Sequence, residues 1–421
     1  MGKDQNMYDY ICKTLINNGT GLIYVTNRAI ANALERLGAD GDKFHYEVSI
    51  NEKIAFELSL AGAIASKRTA CIFSTEGIYE ALDPIMSSAY TGVKKGLLIV
   101  CIQETYQDAT PIGPFSKLPF ITGELGKSLP ETIEFCNYIS ERYEIPVILQ
   151  IYTGDDDIRQ KSSDKGQVLM DRTDPVAPMD VSQFIKDPAR WAATPSFRYE
   201  LHRLLNQKTE AIREEFEAYR GNNIDIKGRA GIITTKKPSL DFFEEDTSIL
   251  NISTIYPLPV KKVKGFIGQM DEVCLLEGEF PVIELQIPDR KKLRTEHFIA
   301  PSRIKKHDED MFGFEVIRDR LGPASSINIA HGIKKLDPHR DILALTYEDH
   351  FLHSGMPGFV NTLYNNSSYA ILIMTDKKGQ EIKGFMDGCG FSNYIDLARV
   401  EDLKGYRDIK GLTVFLCQGI I

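Results

Sequence analysis

The chain alternates short runs of β-branched and aliphatic residues with longer stretches of helical period. In its first third these apolar runs lie at 21–25, 69–73, 96–102 and 146–151. Parallel neighbours in a sheet are joined by crossovers of a dozen or more residues, usually through a helix. The spacing therefore predicts an α/β fold, built from βαβ units with a parallel sheet flanked by helices.

Two further groups of apolar runs follow the first. They lie at 231–235, 248–252 and 272–276, and at 341–346, 369–374 and 412–417. We interpret them as a second, smaller α/β unit and a third one. The segment 49–65 predicts a helix that Ser49 or Asn51 can cap. A charged helix is predicted at 195–220, after a polar loop at 155–180.

The balance of charge excludes several classes of function. The 421 residues carry 59 acidic and 50 basic side chains, which gives a net charge of −9. That sign is wrong for a protein that neutralises phosphates over a broad face, so we expect no nucleic acid partner. The apolar runs are far shorter than the roughly 20 residues that span a bilayer. We expect no membrane association, and the N-terminus has no apolar signal core.

Seven cysteines are scattered along the chain with no C-x-x-C pair among them. They are Cys12, Cys71, Cys101, Cys136, Cys274, Cys389 and Cys417. Several lie inside apolar runs, so we predict reduced core residues in a cytoplasmic protein. This spacing cannot build a zinc site or an iron–sulfur cluster from neighbouring residues, and we expect no cluster in this chain.

Several motifs carry a family resemblance. Asn51, Glu52 and Lys53, followed by the segment 81–93, resemble the large subunit of indolepyruvate ferredoxin oxidoreductase. That enzyme belongs to the thiamine-diphosphate-dependent 2-oxoacid:ferredoxin oxidoreductase superfamily. Further segments that match the family in order lie at 184–190, 231–235, 256–259, 326–332 and 351–358. The resemblance implies a thiamine-diphosphate-binding fold, with the cofactor held between a pyrimidine domain and a diphosphate domain.

The resemblance also implies a division of the chain into segments. It predicts a pyrimidine-binding-like domain at 1–195, a connecting helix at 196–228, a transketolase-C-terminal-like domain at 229–288, a linker at 289–313 and a shortened diphosphate-binding-like domain at 314–421. The linker is predicted because lysines and arginines are dense there.

The resemblance supplies one catalytic candidate. In this family a glutamate beside the aminopyrimidine ring hydrogen-bonds a ring nitrogen and promotes formation of the ylid that attacks the 2-oxo acid. Glu52 stands at the matching position. By position alone, Glu52 is also a first-turn helix residue that the N-terminal dipole stabilises. The residues leave both roles open.

The diphosphate and its magnesium are expected at a second place in the chain. The family holds them with an Asp in a Gly-Asp-Ser turn and a later Asn, both oxygen donors suited to a hard cation. The matching residues here are Glu348, with Asp349 beside it, and Asp376. These three carboxylates are the candidate metal ligands. The alternative is a solvated acidic loop at the end of a strand.

The segment 351–358 supplies further candidates. By resemblance, His353, Ser354 and Gly355 are expected near the diphosphate. A glycine-containing stretch, 355–358, precedes an apolar helical stretch, and backbone amides at a helix start form a natural anion site. A transition metal held by His350 and His353, spaced i, i+3, is a further alternative.

The sequence departs from the family at places where the family handles its substrate, phosphate groups or electrons. The substrate-facing Gly-Thr-Pro-Ser-Ser stretch of the family is replaced by 25–30, and its Lys-His pair by Ser74 and Thr75. Between Gln286 and Ser326 the chain is considerably shorter than the family. We find no ferredoxin-like domain with two cysteine quartets, so such an enzyme would need a partner subunit to take electrons.

These observations leave three functions open. The first is a thiamine-diphosphate-dependent oxidoreductase or decarboxylase subunit for an arylpyruvate-type 2-oxo acid, with magnesium as the second cofactor. By resemblance it would form a homodimer, a complex with a smaller partner subunit, or both. The second is a catalytically degenerate paralogue that acts as a scaffold or regulatory subunit. The third is a pocket re-used for another metal or phosphate ligand.

Overall fold

The structure is a computed structural model. It describes residues 3–38, 44–103, 108–126, 128–152, 184–191, 194–235, 246–278, 280–297, 310–311, 313–319, 322–376, 379–406 and 411–418. The chain divides into two compact units, Met1–Ser302 and Arg303–Ile421. Two sheets lie in the first unit and one in the second, and most strand pairs in them are parallel. The predicted α/β fold, with parallel sheets flanked by helices, is confirmed.

The first sheet has seven strands among the described residues, in the order β10-β5-β6-β4-β3-β1-β2. They are β1 Leu22–Val25, β2 His45–Val48, β3 Thr69–Ser74, β4 Leu97–Gln103, β5 Phe120–Glu124, β6 Val147–Tyr152 and β10 Thr254–Tyr256, which pairs antiparallel with β5. The helices around it are α1 Lys3–Asn17, α2 Arg28–Gly38, α3 Glu52–Ile64, α4 Leu82–Thr91, α5 Ile112–Ser116 and α6 Leu129–Tyr143, with a 3₁₀ turn at Gly77–Ala81. All four predicted strands are present.

The second sheet has five described strands, in the order β12-β11-β8-β9-β7. They are β7 Asn223–Asp225, β8 Ala230–Thr234, β9 Ser248–Asn251, β11 Glu272–Glu277 and β12 Leu293–His297. The helices of this part are α7 Pro188–Trp191, α8 Pro195–Ala218, which confirms the predicted charged helix, and α9 Val260–Gln269, and a 3₁₀ turn lies at Glu284–Gln286. β12 lies within the stretch predicted as a linker, and residues 298–309 of that stretch lie outside the described residues. The predicted loop at 155–180 also lies outside them.

The third sheet forms the second unit, in the order β13-β14-β15-β16-β18-β17. Its strands are β13 Asp310–Met311, β14 Phe314–Arg318, β15 Ile342–Tyr347, β16 Ala370–Thr375, β17 Tyr394–Leu397 and β18 Thr413–Gln418. Its helices are α10 Ser325–Leu336, α11 Glu348–His350, α12 Met356–Tyr364 and α13 Gly379–Gly388, with a π-helical turn at Phe351–Gly355 and a 3₁₀ turn at Val400–Gly405. The division into the five segments named above stays a prediction.

The core of the second unit lies on both faces of its sheet. Ala344 and Ile371 belong to one buried cluster, and their chain neighbours Leu343 and Leu372 belong to another. Successive side chains of a strand point to opposite faces, so these strands bury both faces. That burial explains why the strands read as continuous apolar runs rather than alternating ones.

The cysteines agree with the prediction of free thiols but not entirely with that of core residues. All seven are unpaired, and five of them are buried: Cys12, Cys71, Cys101, Cys136 and Cys417. Cys274 is half-buried, and Cys389 is exposed. The core prediction is wrong for Cys389 because it follows the end of α13 rather than lying in a strand. Within the described ranges, we find no helix both long and apolar enough to cross a membrane.

Candidate cofactor site

Glu52 is positioned by the start of helix α3. The chain leaves β2 at Val48, and Asn51 is the N-cap residue, in an extended conformation. Its side-chain oxygen accepts a hydrogen bond from the backbone N–H of Ile54 at 3.0 Å. Of the two predicted caps, Asn51 is therefore the one used. The cap makes Glu52 the first residue of the helix. Glu52 therefore lies at the edge of the sheet that holds the carboxyl ends of the parallel strands.

The Glu52 carboxylate is held in a buried position. The residue is 7% exposed, and its Oε1 accepts a hydrogen bond of 2.9 Å from the hydroxyl of Thr26, which follows β1. On another side it lies against the backbone of Gly77, where an added Cβ would come within 2.6 Å of Oε1. A residue other than glycine at position 77 would displace the carboxylate.

Three residues with hydroxyl groups lie at the carboxyl ends of neighbouring strands, at the edge where Glu52 lies. Thr26 follows β1, Ser49 follows β2, and Ser74 ends β3, where it accepts the N–H of Gly77 at 3.0 Å. Ser49 is 3% exposed, and its hydroxyl has no hydrogen-bond partner among the described residues. A buried carboxylate, an unpartnered hydroxyl and a close glycine fit a small heterocycle that carries hydrogen-bonding groups. These groups can hydrogen-bond an aminopyrimidine, and its contact with Glu52 stays a prediction.

A cysteine lies near this group, in strand β4. Burial raises the pKa of the Cys101 thiol well above its ordinary value, and the nearby Cys71 and Glu52 raise it further. The thiolate is the nucleophilic form of cysteine. Cys101 therefore stays protonated and acts as an apolar core residue beside the site.

The acidic residues predicted as metal ligands lie at the carboxyl edge of the third sheet. Glu348 follows β15 and is 7% exposed, and its Oε2 accepts the backbone N–H of Asp376, just after β16, at 3.1 Å. Asp376 is exposed, and Asp349 is half-buried. The two residues that the sequence spacing selected, Glu348 and Asp376, are therefore in contact, through the carboxylate of Glu348 and the backbone of Asp376.

The part of the chain that the structure describes contains no group of three or more His, Cys, Asp or Glu side chains arranged to hold a metal ion. Magnesium at Glu348, Asp349 and Asp376 stays a prediction. Nδ1 of His350 hydrogen-bonds Asp319, and Nδ1 of His353 hydrogen-bonds the hydroxyl of Ser354. A transition metal held by these two histidines also stays a prediction.

The segment that carries His353, Ser354 and Gly355 is a π-helical turn. It continues α11 directly into α12, and the N–H of Met356 bonds the carbonyl of Phe351. Helix α12 begins at Met356, within the predicted stretch 355–358, but it continues a helical run that starts at Glu348, directly after β15. An anion site at these backbone amides stays a prediction. Gly355 is buried against Ala324, whose Cβ would lie 3.0 Å from an added Cβ. π-helical turns occur frequently at functional sites.

Sequence reasoning missed a carboxylate at this edge that accepts several hydrogen bonds, Asp319, which follows β14. Its side chain is 3% exposed and accepts hydrogen bonds from Nδ1 of His350 at 2.7 Å, the hydroxyl of Thr346 at 2.6 Å and the N–H of Ser326 at 3.1 Å. Burial alone would raise the pKa of Asp319, but these hydrogen bonds outweigh it and hold the pKa below its usual value.

The hydrogen bond from Ser326 gives Asp319 a structural role. Ser326 is the second residue of α10, and the N-cap of that helix is Ala324, whose side chain cannot accept a hydrogen bond. Asp319 therefore caps α10 from a distance. The only sequence signal is an aspartate directly after a strand, which is too common to select it.

Comparisons with known proteins agree with the motifs. No family model matches the chain. The chain is 22% identical to indolepyruvate oxidoreductase subunit IorA of Archaeoglobus fulgidus, over 86% of this chain and 72% of that protein. It is 26% identical to the subunit IorA of Thermococcus kodakarensis, over 68% and 47%, and 26% identical to that of Pyrococcus abyssi, over 58% and 40%. The chain thus spans less than half the length of the latter two.

A solved structure shares the fold. A 2-oxoglutarate:ferredoxin oxidoreductase from Magnetococcus marinus, with 2-oxoglutarate, coenzyme A and succinyl-CoA bound, superposes with a TM-score of 0.50 at 13% identity. The match covers 68% of this chain and 61% of that one. The resemblance to the indolepyruvate oxidoreductase large subunit is confirmed, and so is the fold that it implies.

Proposed function

We propose that this chain is a cofactor-binding subunit of a thiamine-diphosphate-dependent enzyme that oxidises or decarboxylates a 2-oxo acid of the arylpyruvate type. The observation that carries the proposal is Glu52, a buried carboxylate held by Thr26 and by the backbone of Gly77 at the carboxyl edge of a parallel sheet. The similarity to indolepyruvate oxidoreductase subunits supports the same assignment.

Each candidate residue has a defined task in this proposal. Glu52 hydrogen-bonds a ring nitrogen of the aminopyrimidine. His353, Ser354 and Gly355 lie beside the diphosphate, and three carboxylates share its magnesium: Glu348, Asp349 and Asp376. When bound, thiamine diphosphate supplies the carbanion that attacks the carbonyl carbon of the substrate. The protein supplies binding, orientation and the acid–base group.

The proposal includes a partner. Redox chemistry on a 2-oxo acid releases electrons, and the seven cysteines of this chain show no cluster-binding spacing. A smaller partner subunit would then receive the electrons, and a homodimer is part of the same proposal. We propose the cytoplasm as the compartment, because free cysteines suit a reducing environment.

The test is a calorimetric titration of the protein with thiamine diphosphate, with and without magnesium. We expect micromolar affinity that requires the metal. The rate of deuterium exchange at the thiazolium C2 of the bound cofactor, followed by NMR, then isolates Glu52. Glu52→Gln should slow that exchange about 100-fold or more, the usual worth of a positioned acid–base group.

Glu57→Gln is the matched control, because Glu57 lies on the same helix but is 48% exposed and paired only with Lys53 in a surface ion pair. It should leave the exchange unchanged. Parent-like exchange in Glu52→Gln would remove Glu52 from the mechanism. If the protein binds no thiamine diphosphate at millimolar concentration, either alone or with the partner subunit, the proposed enzymatic function is wrong.

A second candidate function is a catalytically degenerate scaffold or regulatory subunit. Glu348 and Asp376 favour it, since Glu348 is a longer carboxylate than the family's Asp, Asp376 adds a carboxylate where the family has Asn, and Glu348 already accepts the N–H of Asp376. Extra negative charge beside a diphosphate is unfavourable by Coulomb's law. Glu348→Gln separates the two functions, because loss of metal-dependent binding supports a working site. A pocket re-used for another metal or phosphate ligand would bind the metal alone or inorganic phosphate in the same titration.

A further inference from the structure

Ser49 carries a buried hydroxyl that the fold does not use. The residue is 3% exposed, and its Oγ has no hydrogen-bond partner among the described residues. Most buried polar side-chain atoms in proteins are hydrogen-bonded, so an exception needs a physical explanation. Its backbone is fully engaged in the sheet, since the N–H of Ser49 donates to the carbonyl of Val25 at 2.8 Å.

The register of the first two strands places Ser49 beside Thr26, the residue whose hydroxyl bonds Glu52. β1 and β2 run parallel with Val25 opposite Val48, so Thr26 and Ser49 follow side by side at the same edge. Paired residues of neighbouring strands share a face of the sheet. Thr26 uses its hydroxyl to hold Glu52, at 2.9 Å, whereas the hydroxyl of Ser49 is not used in this way.

We propose that the Ser49 hydroxyl is a ligand contact of the Glu52 pocket, and that Thr26 is the positioning residue of Glu52. The inference rests on the proposed function, because the ligand is the heterocycle that Glu52 hydrogen-bonds. A serine hydroxyl both donates and accepts. An aminopyrimidine offers ring nitrogens that accept and an amine that donates, so either polarity of the contact is available.

The chain provides a matched control in Ser59. Its hydroxyl is also buried, and its hydrogen-bonding contact is with the thiol of Cys71 in β3 rather than with the group around Glu52. It lies two turns along α3 from Glu52, and its carbonyl accepts the hydroxyl of Thr69, the first residue of β3. Ser59 therefore lies toward the amino end of the strands, away from the edge that holds Glu52.

The experiment compares Ser49→Ala with Ser59→Ala in the full chain. The thermal unfolding temperature without ligand should be unchanged or slightly higher in Ser49→Ala, because that variant loses an unsatisfied buried group, and it should change little in Ser59→Ala, which loses only a weak contact with the Cys71 thiol. Calorimetric titration with thiamine diphosphate and magnesium should show affinity reduced about threefold to tenfold in Ser49→Ala, the worth of one hydrogen bond. Ser59→Ala should bind as the parent does.

Thr26 is tested by a conservative pair of variants. Thr26→Val keeps the shape but removes the donor to Glu52, and we expect affinity to fall about tenfold because a hydrogen bond to a charged group is lost. Thr26→Ser keeps a hydroxyl and should restore binding, which a purely structural role of the methyl group would not produce.

The outcomes separate this inference from the proposed function. If the unsubstituted protein binds no thiamine diphosphate, both the inference and the proposed function are overturned. Parent protein that binds, with Ser49→Ala binding equally well, overturns the ligand contact alone. If affinity for thiamine diphosphate falls equally in Ser49→Ala and Ser59→Ala, the loss is due to packing, and the ligand contact is again overturned. Thr26→Ser that binds as weakly as Thr26→Val overturns the positioning role.

Discussion

Removal of the Asp319 side chain tests whether one carboxylate organises the edge of the third sheet. Asp319→Ala leaves the N-terminus of α10 without its cap, which costs about 1 kcal/mol. It also leaves the hydroxyl of Thr346, a residue that is 0% exposed, without its acceptor, which costs about 1 to 2 kcal/mol. The local stability of the second unit should therefore fall by about 2 to 3 kcal/mol.

Hydrogen exchange read by mass spectrometry is the suitable assay, because a chain of two compact units need not unfold in a single step. Peptides from α10 and β15 should exchange faster in Asp319→Ala, while peptides from the first unit should not change. The control is Asp396→Ala, which removes a 67% exposed carboxylate paired with Lys383. Such a surface pair is worth at most about 1 kcal/mol. Unchanged exchange in α10 would refute the capping role.

Two further predictions concern pH and the glycine beside Glu52. Because the folded pKa of Asp319 is lowered, its stabilisation is present above the unfolded value near 3.9 and is lost as pH falls through the lower folded value. The protection of α10 against exchange, corrected for the pH dependence of the intrinsic exchange rate, should therefore fall below about pH 4, and Asp319→Asn should flatten that dependence. Gly77→Ala should weaken thiamine diphosphate binding at least about tenfold in calorimetry, since its Cβ would lie 2.6 Å from Oε1 of Glu52; parent-like affinity would contradict this.

Strands with a continuous apolar run were predictable from the sequence, and two strands without such a run were not. β4 and β16 are continuous apolar runs, and every residue in each of them is buried. β2 lies at the edge of its sheet with all four residues half-buried, and β5 contains Thr122 and Gly123. Both strands were missed because neither has a sustained apolar signal. Their places are set by pairing with neighbours rather than by their own composition.

The site divides in the same way. Glu52 and the pair Glu348 and Asp376 were found from motif and spacing, because these are properties of the order of residues. Thr26 was part of a stretch noted only for departing from the family, and Asp319 was not found at all. Thr26 bonds Glu52, 26 positions away, and Asp319 bonds Thr346 and His350, 27 and 31 positions away, in addition to Ser326, 7 positions away. No local pattern encodes such a contact.

The sequence by itself determined the α/β class, the family resemblance and the identity of the principal acidic residues, because periodicity and motif spacing are local properties. The tertiary structure decided which groups meet. It set the hydroxyl of Thr26 on Glu52, left the hydroxyl of Ser49 buried beside them, and gave Asp319 the capping of α10. Each of these contacts lies at an edge where the parallel strands of its own sheet end. Such an edge forms only after segments that are distant in the sequence have paired.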